Sequence, residues 1–458
     1  MIDWYGLKRK KSNDYLDLWD IIVTFARLLV KDNKMKRRKI RKGCLARLVI
    51  VAIMTIVGII MCVKSCTGNK DDKIDSEPLE TIKNKDEIDT SLVARLKDFS
   101  LRPRPEGQFA FHVYDITADK PVFGCNDSLA LPSASCMKLL SGIAGLRLLG
   151  DNYHYWTAIF SRGNVASDGT LNGDISFRAG LDPQLMAPDL NAFAKAVKKK
   201  GIKRFSGKLI IDLAITEPVK SEEHWFPWDL TFSKYGLFYK GKDRVVKAIK
   251  ASLRGQGITV KDEQIVMAKV PKGSKCLYLT RRFIDDVIKR MWKNSSNTQA
   301  TAMLYTIGKT VNPQGDPVTS GVDYLRSFLT DSLSLTNPSL CIHDGCGLCT
   351  HNCLSPLALT TILRYGYHDK NIRASLNRNL SIAGIDGTLM REMGGPKLRG
   401  KIRAKTGTLS HPYGISSLAG FCEGANGHTL AFAIMDSEMS VLDARVLQRK
   451  LCEILVKE

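Results

Sequence analysis

Leu48 to Val63, LVIVAIMTIVGIIMCV, runs for sixteen residues without a charge and is apolar throughout but for Thr55. With Ala46 and its flanks it approaches the ~20 apolar residues a helix needs to cross the hydrocarbon core of a membrane. The basic stretch Met35 to Arg47, MKRRKIRKGCLAR, precedes it, and residues 1–47 carry 14 basic against 5 acidic side chains. After it comes the polar stretch Cys66 to Thr90, CTGNKDDKIDSEPLETIKNKDEIDT. A buried core helix rarely carries a cationic flank on one side and a polar linker on the other, and basic flanks stay inside. Residues 1–45 are therefore read as a basic cytoplasmic segment, 46–66 as a transmembrane signal anchor and 67–92 as a linker. Everything beyond is expected outside the cytoplasmic membrane, in the periplasm or its equivalent. The alternative is a leader starting at Met35 and lipidated at Cys66, but Val63-Lys64-Ser65 puts a lysine inside the lipoprotein box, so the uncleaved anchor is preferred.

The net charge of +22 suits an anionic polymer or a membrane face. No zinc-finger, homeodomain or RNP-type pattern accompanies it, so nucleic acid is not expected as a partner. Twelve cysteines are too scattered for a pairing. Cys341, Cys346, Cys349 and Cys353 fall close together with His343 and His351, and Cys346-x-x-Cys349 is a spacing zinc sites use. No second CxxC follows at finger-like distance, so no metal is assigned, and disulfide or free thiol stays open.

Strand patterns occur at Gln108 to Asp115, around Lys120 to Phe123 and from Thr157 to Asp212, where Asn172-Gly173 is read as a hairpin turn. They recur at Lys401 to Lys405, Ser416 to Glu423 and Leu430 to Asp436. Helical spacing appears from Ser135 to Gly150, at Ala187 to Lys200, Arg281 to Lys293, Ala300 to Ile307, Pro356 to Tyr367 and Met439 to Val456. Strands at both ends with helices between them predict an α+β sheet whose two halves are separated in sequence.

Ser135-Cys136-Met137-Lys138 places a serine and a lysine three apart at a helix start, on one face. A serine is a weak nucleophile until a base takes its proton, and a lysine is that base only when burial or a neighbouring cation lowers its pKa. Alone this pair is commonplace. Ser295-Ser296-Asn297 lies 160 residues beyond Ser135, and Lys405-Thr406-Gly407-Thr408 lies 108 beyond Asn297, on a predicted strand. These residue types divide the chemistry of acyl transfer among them. Ser295 would relay a proton between the Lys138 region and the leaving amine, and Asn297 would bind the substrate amide. Lys405 offers a cation to a substrate carboxylate, Thr406 and Thr408 add hydroxyls, and Gly407 lets the strand come close. The N–H groups of Ser135 and Thr408 would form an oxyanion hole.

From Ala110 to Val456 the chain resembles the low-molecular-mass class C penicillin-binding proteins, serine D-alanyl-D-alanine carboxypeptidases that also act as endopeptidases. Gly173-Asp174-Ile175-Ser176-Phe177-Arg178-Ala179-Gly180-Leu181-Asp182-Pro183 and Phe205 to Asp212 are similar to segments of that family. Ala383-Gly384-Ile385-Asp386-Gly387-Thr388-Leu389, with Arg399 to Leu409, is the most specific stretch. The resemblance implies a penicillin-binding/β-lactamase-type transpeptidase-like domain, with a first half at 93–185, a reduced inserted subdomain at 186–275 and a second half at 276–458. It also implies an acyl-enzyme on Ser135, a peptidoglycan stem peptide ending in D-Ala-D-Ala as substrate, β-lactams as acylating inhibitors, and no metal or organic cofactor. Asp344-Gly345-Cys346-Gly347-Leu348-Cys349 departs from the family, which usually has serines at both cysteine positions. The rivals are a β-lactamase, for which no deacylating carboxylate is evident, and a catalytically weak peptidoglycan binder of the same fold.

Overall fold

Alternating apolar residues in the first and last strands define the centre of the molecule. The structure, a computed structural model, describes residues 85–232 and 234–456. The segments read as a cytoplasmic tail and membrane anchor lie outside these residues. Among the described residues no helix is long and apolar enough to cross a membrane.

In chain order the main elements are α1 (Thr90–Leu101), β1 (Gln108–Asp115), β2 (Lys120–Cys125), α2 (Met137–Leu149), β3 (His154–Val165), β4 (Thr170–Ala179), α3 (Leu190–Lys199), β5 (Leu209–Leu213), α4 (Lys242–Arg254), β6 (Ile265–Met267) and β7 (Lys275–Phe283). There follow α5 (Ile284–Lys293), α6 (Asn297–Val311), α7 (Pro317–Ser327), α8 (Pro356–His368), α9 (Lys370–Asn379), β8 (Ser381–Ile382), β9 (Ile402–Leu409), β10 (Ile415–Glu423), β11 (Thr429–Ser437) and α10 (Val441–Leu455).

One six-stranded sheet runs β8-β9-β10-β11-β1-β2. β1 lies antiparallel to β11, with Gln108 opposite Ser437 and Asp115 opposite Leu430, so the sheet joins strands from the two ends of the described chain. In β11, Leu430, Phe432 and Ile434 face a core shared with α1 and α10. Ala431, Ala433 and Met435 face the other core, built around α2 and α8. This is the period-2 pattern of a strand covered on both sides, and the alanines allow helix α8 to lie close to the sheet. Ten consecutive residues of α2, Met137 to Leu146, are buried. A helix buried all round is a central helix rather than a surface one.

A second sheet has the strand order β6-β5-β4-β3-β7. The span 186–275 supplies β5, β6, α3 and α4 to this layer, and β3, β4 and β7 come from its flanks. Two local readings are corrected here. Asn172-Gly173 is not a turn: it sits inside β4, where Gly173 pairs with Gly163 and Asn172 with Asn164. The strands cross so closely there that a Cβ on Gly173 would stand 1.8 Å from the Arg162 carbonyl oxygen. Arg281 to Phe283 is the end of β7, paired with Trp156 to His154, and the helix begins only at Ile284.

Phe432 is fully buried in β11. Phe432→Ala is expected to cost about 3–5 kcal/mol of stability, read as a lower urea midpoint with an unchanged slope.

Candidate active site

The turn before α2 positions Ser135. Ala134 adopts φ +43°, a left-handed value that costs a residue with a side chain and persists only where the surroundings enforce it. This turn leads into Ser135, which is half-buried, and then into α2, whose first turn carries Lys138 with 0% of its surface exposed. Lys138 Nζ lies 2.7 Å from Ser135 Oγ and 2.8 Å from Asn297 Oδ1, and it also donates to the carbonyl of Cys346. Two of these partners, the amide oxygen and the carbonyl, can only accept. A neutral amine gives its two N–H bonds to them and turns its lone pair to the Ser135 hydroxyl, the one partner with a proton to give.

Burial drives the Lys138 pKa below the ordinary lysine value, opposed by the nearby Cys346, Asp344 and Cys136 groups. Burial also pushes the thiols of Cys136 and Cys346 up, so both stay protonated and neither adds negative charge that would restore the lysine. Cys136 therefore carries no thiolate to compete with Ser135; its thiol donates to the Lys405 carbonyl at 3.2 Å.

Lys405 is equally buried, on β9. Its Nζ donates to Ser295 Oγ at 2.9 Å and to the Thr406 carbonyl. Burial, reinforced by Lys138 nearby, lowers its pKa to about 7. Ser295 itself sits at φ +56°, the second left-handed residue of the site. Thr406 Oγ1 donates to Thr388 Oγ1 at 2.8 Å, tying the strand to the Ala383 to Leu389 loop. Gly407 is required by proximity: an added Cβ would lie 3.0 Å from the Ser135 nitrogen, 2.9 Å from the Ser133 carbonyl and 2.1 Å from Ser417 Oγ. Thr408 follows on the exposed face of the strand, opposite Ser416.

The structure thus brings Ser135, Lys138 and Asn297 into one hydrogen-bonded group and Ser295 with Lys405 into a second beside it. Ser295 is held by Lys405 rather than by the Lys138 amine. Three contributors carry no motif that marks them in the sequence. Ser417 Oγ fixes the Ser133 carbonyl at 2.8 Å, and Trp292 Nε1 fixes the Lys138 carbonyl at 2.7 Å. Asp344, 3% exposed, accepts from the N–H groups of Cys346, Gly347 and Cys349 and from Trp225 Nε1. It shapes the loop whose Cys346 carbonyl receives Lys138. An Asp-Gly-x-Gly segment is a turn signal of the kind that could have exposed it.

The sequence profile of the D-Ala-D-Ala carboxypeptidase 3 (S13) family matches residues 92–235 and 239–457. The D-alanyl-D-alanine carboxypeptidase DacB of Haemophilus influenzae is 22% identical over 413 residues, spanning 72% of this chain and 85% of that protein. A D-alanyl-D-alanine carboxypeptidase of Actinomadura sp. strain R39 is 21% identical over 423 residues, spanning 71% of this chain and 77% of that protein. Among solved structures, penicillin binding protein 4 of H. influenzae aligns with a TM-score of 0.66 at 19% identity, covering 80% of this chain and 99% of that one. A predatory endopeptidase of Bdellovibrio bacteriovorus aligns with a TM-score of 0.52 at 15% identity, covering 76% and 94%. At these identities the structural likeness carries the penicillin-binding/β-lactamase-like α+β fold.

The buried lysine makes stability depend on pH. The folded pKa of Lys405, about 7, lies below the unfolded value, so the unfolded chain binds the extra proton and stability rises with pH across that interval. Lys405→Met removes this burden. It should raise the thermal midpoint by on the order of a few degrees near pH 6 and by less near pH 9, as read by circular dichroism melts at the two pH values.

Proposed function

The chain belongs to the D-Ala-D-Ala carboxypeptidase 3 (S13) family, and from that membership and the geometry around Ser135 we propose a serine D-alanyl-D-alanine carboxypeptidase/endopeptidase acting on peptidoglycan stem peptides. The observation that carries the reading is the set of three partners around the buried Lys138, which holds its amine against the Ser135 hydroxyl while burial lowers its pKa.

In this mechanism Lys138 takes the proton of Ser135 as its Oγ attacks the carbonyl of the penultimate D-alanine. The oxyanion is met by the backbone N–H groups of Ser135 and Thr408, which the close approach at Gly407 draws together. Asn297 binds the peptide amide, and Lys405 receives the terminal carboxylate, with Thr406 and Thr408 beside it. A bound carboxylate favours the charged form of Lys405, so substrate itself restores the cation. The proton Lys138 has gained returns to the departing D-alanine nitrogen through the Ser295 hydroxyl, which gives one proton as it receives another, with Lys405 orienting Ser295. Water then hydrolyses the acyl-enzyme. β-Lactams, whose amide resembles the D-alanyl-D-alanine bond, acylate the same serine.

The layer around β3 to β7 is the candidate for a reduced inserted subdomain. Residues 46–66 would hold the enzyme on the outer face of the cytoplasmic membrane; the uncharged apolar run 48–63 within them and the basic stretch before it support this.

Full-length chain in detergent, treated with a fluorescent penicillin, should form a stable adduct seen by gel and intact mass. Ser135→Ala should abolish it while remaining folded. Lys138→Ala should slow labelling by roughly 10²–10⁴-fold. In the parent protein the labelling rate should rise with pH as Lys138 deprotonates, below the range of an ordinary lysine. A folded parent chain that forms no adduct would refute the reading.

A further inference from the structure

Behind the loop that receives Lys138, two unrelated segments bring their chemistry together. Glu222 and His224 lie in the stretch before the short helix Pro227–Phe232, and His343 and Cys349 lie between α7 and α8. One donor atom from each lies within 4.8 Å of all the others, with Cys349 buried and the other three half-buried. We propose that Glu222, His224, His343 and Cys349 form a zinc site that clamps these two segments together.

The chemistry and the surroundings of these donors favour an ion over a coincidental cluster. The carboxylate, two imidazoles and one thiolate are the donors zinc prefers, whereas calcium and magnesium take oxygen. Zinc bonds of about 2.0 Å to nitrogen and about 2.3 Å to sulfur require donor separations of roughly 3.3–3.7 Å, and His343 Nδ1 already stands 3.6 Å from Glu222 Oε1. The chain has eight histidines, and three crowd here: the rings of His224 and His351 are 4.1 Å apart, and those of His224 and His343 are 5.3 Å apart. His351 Nδ1, 3.8 Å from Cys349 Sγ, is a further nitrogen at the rim.

Finally, the two segments that carry the ligands are already tied together through Asp344. The Asp344 carboxylate accepts from Trp225, adjacent to His224, and from the N–H of Cys349, and it is itself adjacent to His343. A cavity of about 410 Å³, lined by Glu222, His343, Trp225 and Asp344 among others, gives an ion a way in. On binding, Cys349 releases its thiol proton to solvent and Glu222 exchanges its contact with His224 for the metal. This donor set uses only one member of the cysteine group Cys341, Cys346, Cys349 and Cys353. Two of its four ligands, Glu222 and His224, come from a segment more than a hundred residues earlier.

The test strips the full-length chain with a chelator and adds Co²⁺ or Zn²⁺ alone. The expected result is one tightly held equivalent, with Co²⁺ giving a sulfur-to-metal band in the near ultraviolet and the strong visible bands of a tetrahedral site. Cys349→Ser should remove the near-ultraviolet band, and His224→Gln, at a half-exposed loop position, should weaken Zn²⁺ binding at least tenfold. Melting curves of the metal-free variants should match that of the metal-free parent, separating lost ligation from lost folding. Absence of tetrahedral cobalt bands in the folded parent, or binding untouched by either substitution, would overturn the site. Penicillin labelling plays no part in this readout, so the site and the enzymatic reading fail independently.

Discussion

The site depends on where Lys138 directs its two N–H bonds. Placing an amine inside the protein removes the water that would keep it charged, and only then does its lone pair become available at neutral pH. Desolvation alone would leave that lone pair without direction. Asn297 Oδ1 and the Cys346 carbonyl occupy the two donor bonds, and tetrahedral geometry does the rest. The scaffold follows from this need. α2 is buried on every side so that Lys138 cannot reach solvent, and α6 begins at Asn297 so that the amide projects from a fixed helix start.

The same demand explains Asp344. A loop that presents one backbone carbonyl to a lysine must hold its other polar groups in place, and four N–H donors converge on this one carboxylate. The cysteines at 346 and 349 are compatible with this because the loop is organised through its backbone rather than through side chains at those positions. Substitution of serine by cysteine there leaves the Cys346 carbonyl, the atom that matters to Lys138, in use.

Much of this was legible in the sequence. Ser135, Lys138, Asn297 and Lys405 could be found because spacing on a helix and motif order survive in a linear string. The sheet built from both chain ends was visible in the apolar alternation of β1 and β11. What spacing could not carry was pairing in space. Nothing local distinguishes a Ser295 that faces Lys138 from one that faces Lys405; the left-handed turn at Ser295 decides it. Asn172-Gly173 reads as a turn by composition, yet serves a close strand crossing with Gly163. Arg281 to Phe283 has helical neighbours but is retained by β3 as a strand, an instance of tertiary pairing overriding local preference. Glu222 and His224 carry no signal at all until the fold sets them against His343 and Cys349.

The pairing of β1 with β11 also governs when this molecule can come into being. Gln108 finds its partner only at Ser437, so a chain emerging from the ribosome or a translocation channel holds its first strand without that neighbour until nearly all of it has been made. Contacts this distant in sequence form slowly and leave apolar strand edges open meanwhile. Biogenesis is therefore all-or-none with respect to length. A product that stops short of β11 lacks the strand between β10 and β1, and with it the link that joins the Lys405 strand to the first half of the sheet.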